Sequence, residues 1–173
     1  MTIFVVAYPL VGHSDDQAIK KFRRHHDQAK ADLIEPHFTL VFAITTFSYE
    51  DVLAHTRHLA VEFQPFEVLL NRLVPFADQF TGEHKLFLCA SKGERQLINL
   101  HNRFYEGRFI TAMQIEEDFE PHMTIATART VEQLAETQAA SAAFKLPIYS
   151  SIDALSVIQI EDRGIVRMPE VAL

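Results

Sequence analysis

The sequence has one cysteine, no tryptophan and only five glycines among its 173 residues. A single cysteine cannot form a disulfide within the chain, so disulfide-stabilised scaffolds are excluded and a reducing, cytoplasmic location is expected. Cys89 lies inside the apolar run 86–90, which favours a buried strand thiol over a nucleophile. Few glycines and a hydrophobic fraction of 48% predict a packed domain and not a disordered chain.

The sequence also lacks an excess of positive charge and any long apolar run. Its formal net charge is -7, whereas a protein that binds duplex DNA needs a basic face. Binding of duplex DNA is therefore not expected. No apolar stretch approaches the roughly 18 residues that cross a membrane. Residues 1–10 have no basic leader, so we expect a strand there and not a signal peptide. A small phosphate-bearing ligand remains compatible with this composition.

Metal-binding motifs are missing as well. The sequence contains no cysteine pair, no H-E-x-x-H and no EF-hand loop, so neither a metal nor another cofactor is expected. His55 and His58 lie three residues apart on a predicted helix without a further ligand nearby. We interpret them as exposed helix histidines.

One motif occurs twice. The sequence reads Glu-Pro-His-Phe-Thr-Leu at 35–40 and Glu-Pro-His-Met-Thr-Ile at 120–125. Side chains alternate faces along a strand, so each His and the Thr two positions later share one face. The other face is predicted to be apolar, with Phe38, Leu40 and Phe42 in the first copy and Met123 and Ile125 in the second.

Local patterns around the motif predict an α+β protein. Strands are expected at about 2–8, 37–44, 66–73, 85–90, 122–127, 146–160 (with a break) and 164–168, and a hairpin turn at 161–164. Helices are expected at about 14–32, 49–63, 93–109 and 131–144, with Ser14, Ser48 and Thr130 as N-caps and 75–83 as a loop. The repeated order of strands and helices predicts two pseudo-symmetric lobes, which we treat as one domain over residues 1–173.

Two imidazoles and two hydroxyls on facing strands suit acid–base chemistry at phosphorus. Histidine has an unperturbed pKa near neutrality, so one ring can accept a proton while the other donates one. His37 and His122 are therefore the catalytic candidates. Thr39 and Thr124 would bind the substrate by donating hydrogen bonds to its non-bridging oxygens. This chemistry requires no metal.

The two copies, His37-Phe38-Thr39-Leu40 and His122-Met123-Thr124-Ile125, resemble the paired H-x-[TS]-x signatures of the 2H phosphoesterase superfamily. That superfamily includes 2'-5' RNA ligase-like proteins and cyclic nucleotide phosphodiesterases. The resemblance implies a cleft between two antiparallel sheets with helices outside them. It also implies metal-independent hydrolysis of a 2',3'-cyclic phosphate, at an RNA end or in a cyclic nucleotide, or of a related 2'-5' phosphodiester. It does not say which histidine is the base, or whether the hydrolase or the ligase direction applies.

Several alternatives stay open at this stage. The chain could be a non-catalytic module that binds an RNA end or a nucleotide, and its oligomeric state is not predicted. The basic cluster at 20–26 is interpreted as a solvated helix face and not as a nucleic-acid surface. Weaker candidates for contacting phosphate or a base, which we leave outside the predicted site, are Arg72, His84, Lys85, Arg103, Arg129, Tyr8 and Phe80.

Overall fold

The computed structural model describes residues 2–79, 81–113, 119–161 and 164–173. Within these residues the strands form two five-stranded antiparallel sheets, one in each lobe. The first sheet contains β1 (Thr2–Ala7), β3 (Phe38–Ile44), β8 (Ala154–Glu161), β9 (Gly164–Arg167) and β10 (Glu170–Ala172). The second contains β2 (Leu10–Val11), β4 (Phe66–Ala77), β5 (His84–Lys92), β6 (His122–Ala128) and β7 (Ile148–Ile152).

The strand order places the two motif strands in equivalent positions. The first sheet has the order β10-β8-β1-β3, with β9 also paired to β8, and the second has the order β2-β7-β4-β5-β6. Strands β3 and β6 therefore each form one edge of their sheet, and these two edges contact each other. The predicted α+β fold with two lobes and antiparallel sheets is confirmed. A single domain over residues 1–173 stays a prediction.

Helices pack on both lobes. They are α1 (His13–His26), α2 (Gln28–Ala31), α3 (Tyr49–Ala60), α4 (Glu94–Phe104) and α5 (Val131–Ala140), with 3-10 turns at Gly107–Ala112 and Ser141–Ala143. Helix α3 contacts β1, β8 and β10 of the first sheet, whereas α5 contacts β4, β5 and β6 of the second. In the part of the chain that the structure describes, no helix has the length and apolarity needed to span a bilayer.

Two of the three predicted N-caps are confirmed. The Ser48 hydroxyl accepts a hydrogen bond from the Asp51 amide at 3.1 Å, and the Thr130 hydroxyl accepts one from the Gln133 amide at 3.2 Å. The cap predicted at Ser14 is wrong, because α1 begins one residue earlier and Gly12 precedes it. The predicted helix 14–32 is also interrupted at Asp27, whose extended φ of -158° separates α1 from α2.

The motif strands are anchored by their apolar faces. Phe38 and Leu40 of β3, and Met123 and Ile125 of β6, are buried in one apolar cluster that includes both sheets. Burying one such side chain contributes about 1.5–3 kcal/mol to stability. The alternation predicted for Phe42 is wrong. Irregular pairing between β1 and β3 makes Leu40 and Val41 both buried, so Phe42 is only half-buried.

Three further differences concern strand ends. Strand β4 extends to Ala77, into the predicted loop 75–83, because β5 pairs with it there. Pro75 is tolerated since β7 pairs only with Phe66–Leu70 and leaves that part of β4 unpaired on one side. Strands β2 and β10 were not predicted. They have two and three residues, which is too short for a recognisable alternation of polar and apolar side chains. The centre of the predicted turn 161–164 lies outside the described residues.

Candidate active site

The fold brings the two motifs together at the junction of the lobes. His37 directly precedes β3, and His122 is the first residue of β6, so both rings stand at the same end of the two touching edge strands. Both side chains are half-buried. The charge of His122 contributes, after burial and the charge of Arg23, to lowering the pKa of His37. All four predicted site residues lie on this pair of strands or at its start.

The His37 ring is held by its own loop. Its Nδ1 lies 2.7 Å from the backbone oxygen of Glu35. A carbonyl oxygen only accepts, so Nδ1 carries the proton and, in the neutral ring, Nε2 keeps a free lone pair. The edge of the Tyr8 ring approaches at 6.0 Å between centroids. The Glu35 carboxylate pairs with Lys20 at 3.2 Å, which ties this loop to α1.

The His122 ring is held in the same way. Its Nδ1 donates to the backbone oxygen of Glu120 at 2.8 Å, so Nε2 is again the free nitrogen. Phe87 of β5 stacks on the ring at 3.8 Å between centroids and 19° between planes. Arg72 pairs with the Glu120 carboxylate at 3.5 Å. Each motif glutamate therefore orients its histidine through the backbone oxygen and is fixed by a cation.

The threonine hydroxyls are available as donors. Thr39 and Thr124 are half-buried, and they point to the opposite side of their strands from the buried residues next to them. Among the residues that the structure describes, neither hydroxyl has a hydrogen-bond partner. Thr127, further along β6, differs because its hydroxyl accepts from Lys30 Nζ at 3.3 Å.

Burial dominates the acid–base properties of both rings. It lowers the pKa of His37 to about 4, against the hydrogen bond to Glu35, and the charges of Arg23 and His122 lower it further. Burial also lowers the pKa of His122, while the Glu120 backbone oxygen and carboxylate oppose this effect and Lys85 adds to it. In the free protein both rings are thus largely neutral at pH 7. An anion between them would raise both pKa values.

The sequence and the fold are similar to those of known proteins. The family model of the 2'-5' RNA ligase superfamily matches residues 11–164. The chain belongs to this superfamily. Its identification as a 2H phosphoesterase from the doubled motif is therefore confirmed. A comparison with curated proteins finds no match.

Solved structures of similar fold cover the whole molecule. Usb1 from Kluyveromyces marxianus is 12% identical, with 99% of this chain and 98% of that chain covered and a TM-score of 0.63. LigT from E. coli, complexed with 3'-AMP, is 17% identical over 99% and 94% of the two chains, with a TM-score of 0.56. A phosphoesterase is 14% identical over 99% and 98%, also with a TM-score of 0.56. At these identities the likeness concerns the fold.

The sequence did not predict that Arg23 and Phe87 support the candidate site. Arg23 was assigned to a solvated helix face, but it is 3% exposed and donates from Nη1 to the Ile34 backbone oxygen at 2.8 Å. It therefore supports the loop that orients His37. The available signal was its spacing of four from the buried Ile19, which places both on one helix face. Phe87 gave no such signal, since its contact depends on the pairing of β5 with β6.

Other histidines prove to be structural. His101 is buried and its Nδ1 donates to the Leu40 backbone oxygen at 2.7 Å, so its role is structural. His58 is exposed as predicted. The prediction for His55 is wrong, because its ring stacks on Phe109 and its Nε2 donates to the Phe104 backbone oxygen at 2.8 Å. Within the described ranges, no group of three or more His, Cys, Asp and Glu residues is arranged to hold a metal ion.

Of the weaker candidates for contacting phosphate or a base, some lie near the site and others form ion pairs with other residues. Tyr8 and Arg72 adjoin the two motif loops, as described above. Lys85 acts on His122 electrostatically but its ammonium pairs with Asp78 at 2.6 Å. Arg103 pairs with Glu62 and Glu106. Phe80 lies outside the described residues. Cys89 is fully buried, and burial raises the pKa of its thiol to about 11, so the buried-thiol interpretation is confirmed.

Proposed function

We propose that this protein is a metal-independent phosphodiesterase that opens a 2',3'-cyclic phosphate, at an RNA end or in a cyclic nucleotide, or cleaves a related 2'-5' phosphodiester. His37 and His122 would be its acid–base pair. The observation that carries the proposal is the matched geometry of the two imidazoles, each held at Nδ1 by the backbone oxygen two residues earlier. This arrangement leaves two Nε2 atoms for two proton transfers.

The reaction follows from those two nitrogens. One neutral imidazole takes a proton from water as the water oxygen bonds to phosphorus. The second imidazole, protonated, gives its proton to the ribose oxygen as the bond from that oxygen to phosphorus breaks. The products are a phosphate monoester and a free ribose hydroxyl. Thr39 and Thr124 donate to the non-bridging oxygens, whose charge increases in the transition state.

The net charge of the chain and the ligands of structures with a similar fold both favour a small ligand. A net charge of -7 disfavours binding to long nucleic acids, so we propose a mononucleotide or a short RNA end as substrate. The ligands of two structures with a similar fold are consistent with this proposal. LigT was complexed with 3'-AMP, and Usb1 was determined with uridine monophosphate. A cytoplasmic location, expected from the single cysteine, is part of the proposal.

A product assay in EDTA tests the proposed function. The purified protein should convert 2',3'-cyclic nucleotides to nucleoside monophosphates at the same rate with and without the chelator, because the proton transfers need only the two imidazoles. A panel that adds 3',5'-cyclic and 2'-5'-linked compounds would show the bond preference. Saturable binding without product would instead indicate a nucleotide-binding module, and loss of activity in EDTA would indicate a metal enzyme.

The pH dependence of kcat/KM provides a second test. Catalysis requires one neutral imidazole and one protonated imidazole, whichever ring is which. This singly protonated form of the histidine pair is most abundant between the two pKa values. Because burial lowers the pKa of His37 to about 4 and that of His122 below its usual value, kcat/KM should fall below pH ~4 and fall again on the alkaline side, at a pH below the usual histidine pKa of ~6.5. The kcat profile should lie at higher pH, since the bound anion raises both pKa values. A kcat/KM that stays constant from pH 5 to 9 would contradict this mechanism.

A further inference from the structure

A cavity of about 590 Å³ opens beside His37 in the first lobe. Tyr8 and Glu35 line it, and both also contact His37, through the Tyr8 ring edge and the Glu35 backbone oxygen. The opposite walls come from β8, β9 and β10. The volume is within the usual range for small-molecule sites, about 300–1,000 Å³. The cavity therefore adjoins the loop that holds the His37 ring.

The charge of this cavity differs from that of a phosphate site. Its lining includes the carboxylates of Glu35 and Glu170, and the described residues that line it include no Lys or Arg. Burial raises the pKa of the Tyr8 phenol to about 12; the charge of Glu35 adds to this effect, the charge of Arg23 opposes it, and the charge of Glu170 adds to it again. Among the residues that the structure describes, the Glu35 carboxylate pairs with Lys20 and the Glu170 carboxylate has no ion pair. The two carboxylates favour groups that donate N–H hydrogen bonds.

The remaining walls suit a flat ring. Leu33, Ile165 and Met168 contribute apolar surface, and Tyr8 contributes an aromatic face. The Tyr8 hydroxyl donates only to the Met168 sulfur, at 3.3 Å, which is a weak acceptor. It can therefore turn to a ligand at little cost. Ser156 and Glu170, which are paired across β8 and β10, place a hydroxyl and a carboxylate at the far wall.

We propose that this cavity binds a nucleobase with an exocyclic amino group, belonging to the nucleotide whose phosphate lies between His37 and His122. The inference rests on the proposed function, because it assumes that a phosphate occupies the cleft. Cytosine presents an amino group where uracil, of nearly equal size, presents an oxygen. A carboxylate accepts a hydrogen bond from the first and repels the second, so Glu170 would discriminate between the two bases.

The test compares 2',3'-cyclic CMP with 2',3'-cyclic UMP as substrates. We expect kcat/KM for the cytidine compound to be at least about tenfold higher, the effect of one hydrogen bond to a charged group. Glu170→Gln keeps the size of the side chain, removes its charge and can donate to the uracil oxygen, so the preference should fall towards one. Glu67→Gln is the matched control, since Glu67 is an exposed glutamate of β4 that pairs with Lys92. It should leave the preference unchanged.

Binding of cytidine 3'-monophosphate and uridine 3'-monophosphate, measured by calorimetry, separates the two proposals. Equal rates and equal Kd values for the two bases would overturn the base preference while leaving the phosphodiesterase intact. A preference that survives in Glu170→Gln would also overturn it. No turnover, together with tighter binding of the cytidine compound that depends on Glu170, would reject the phosphodiesterase and keep the cavity assignment. No turnover and no difference in binding would reject both.

Discussion

His37→Ala and His122→Ala are each expected to lower kcat about 100- to 10,000-fold, the usual contribution of one general acid or base. KM should change little, because the phosphate keeps its contacts with the other histidine and with both threonines. Steady-state hydrolysis of a 2',3'-cyclic nucleotide measures both constants. The double variant should have a kcat only slightly below that of the less active single variant, since the acid and the base act in one step.

The folding of these variants can be checked separately. Both rings are half-buried and each makes one hydrogen bond to a backbone oxygen, so the free energy of unfolding should fall by only about 1 kcal/mol. His58→Ala is a matched control, because His58 is exposed on α3 away from the motif strands. Its activity should equal that of the unchanged protein. Near-normal rates in either motif variant would exclude the two-histidine mechanism.

Thr39→Val and Thr124→Val should produce the second large effect. Valine keeps the branched shape that suits a strand but removes the hydroxyl that would stabilise charge on the non-bridging oxygens. Losing one such preorganised donor typically costs about 100- to 1,000-fold in kcat. The loss should appear mainly in kcat, because the oxygens gain charge in the transition state. Thr→Ser at either position should restore much of the rate by restoring the hydroxyl.

A control for the threonine variants lies in the same strand. Thr127 is half-buried in β6, but its hydroxyl already accepts from Lys30, so Thr127→Val should leave kcat within a few-fold of the unchanged protein. If Thr127→Val reduced kcat as strongly as Thr124→Val, the effect would reflect damage to β6. If neither motif threonine mattered, the hydroxyls would not contact the reacting phosphate.

The core of the candidate site was predictable because it depends on local rules. Strand alternation is sufficient to put His37 with Thr39 and His122 with Thr124, and the burial of Phe38, Leu40, Met123 and Ile125 follows from the same period of two. Because the motif occurs twice, the sequence also predicted that its two strands occupy equivalent positions in the two lobes. Their equivalent edge positions in two antiparallel sheets then agreed with the resemblance to the 2H phosphoesterases.

The features of the site and the fold that the sequence did not predict depend on contacts between residues far apart in the sequence. Phe87 reaches His122 only because β5 pairs with β6, and Arg23 is buried only because the loop at Ile34 folds over α1. Phe42 leaves the predicted face because an irregularity in the β1 pairing shifts the alternation by one residue. His55 looked exposed from its helix position, but the 3-10 turn that carries Phe109 covers it. Apart from the spacing of four between Ile19 and Arg23, these tertiary contacts leave no periodic signal in one sequence.

The central claim is that both imidazoles contact the same phosphate, and NMR titration of the histidine Cε1 protons with inorganic phosphate tests it most directly. The account predicts that the resonances of His37 and His122 move together with one Kd and one phosphate per chain, and that the pKa of each ring rises on binding. His58 should not respond. Movement of only one motif histidine, or two independent binding events with different Kd values, would contradict the claim.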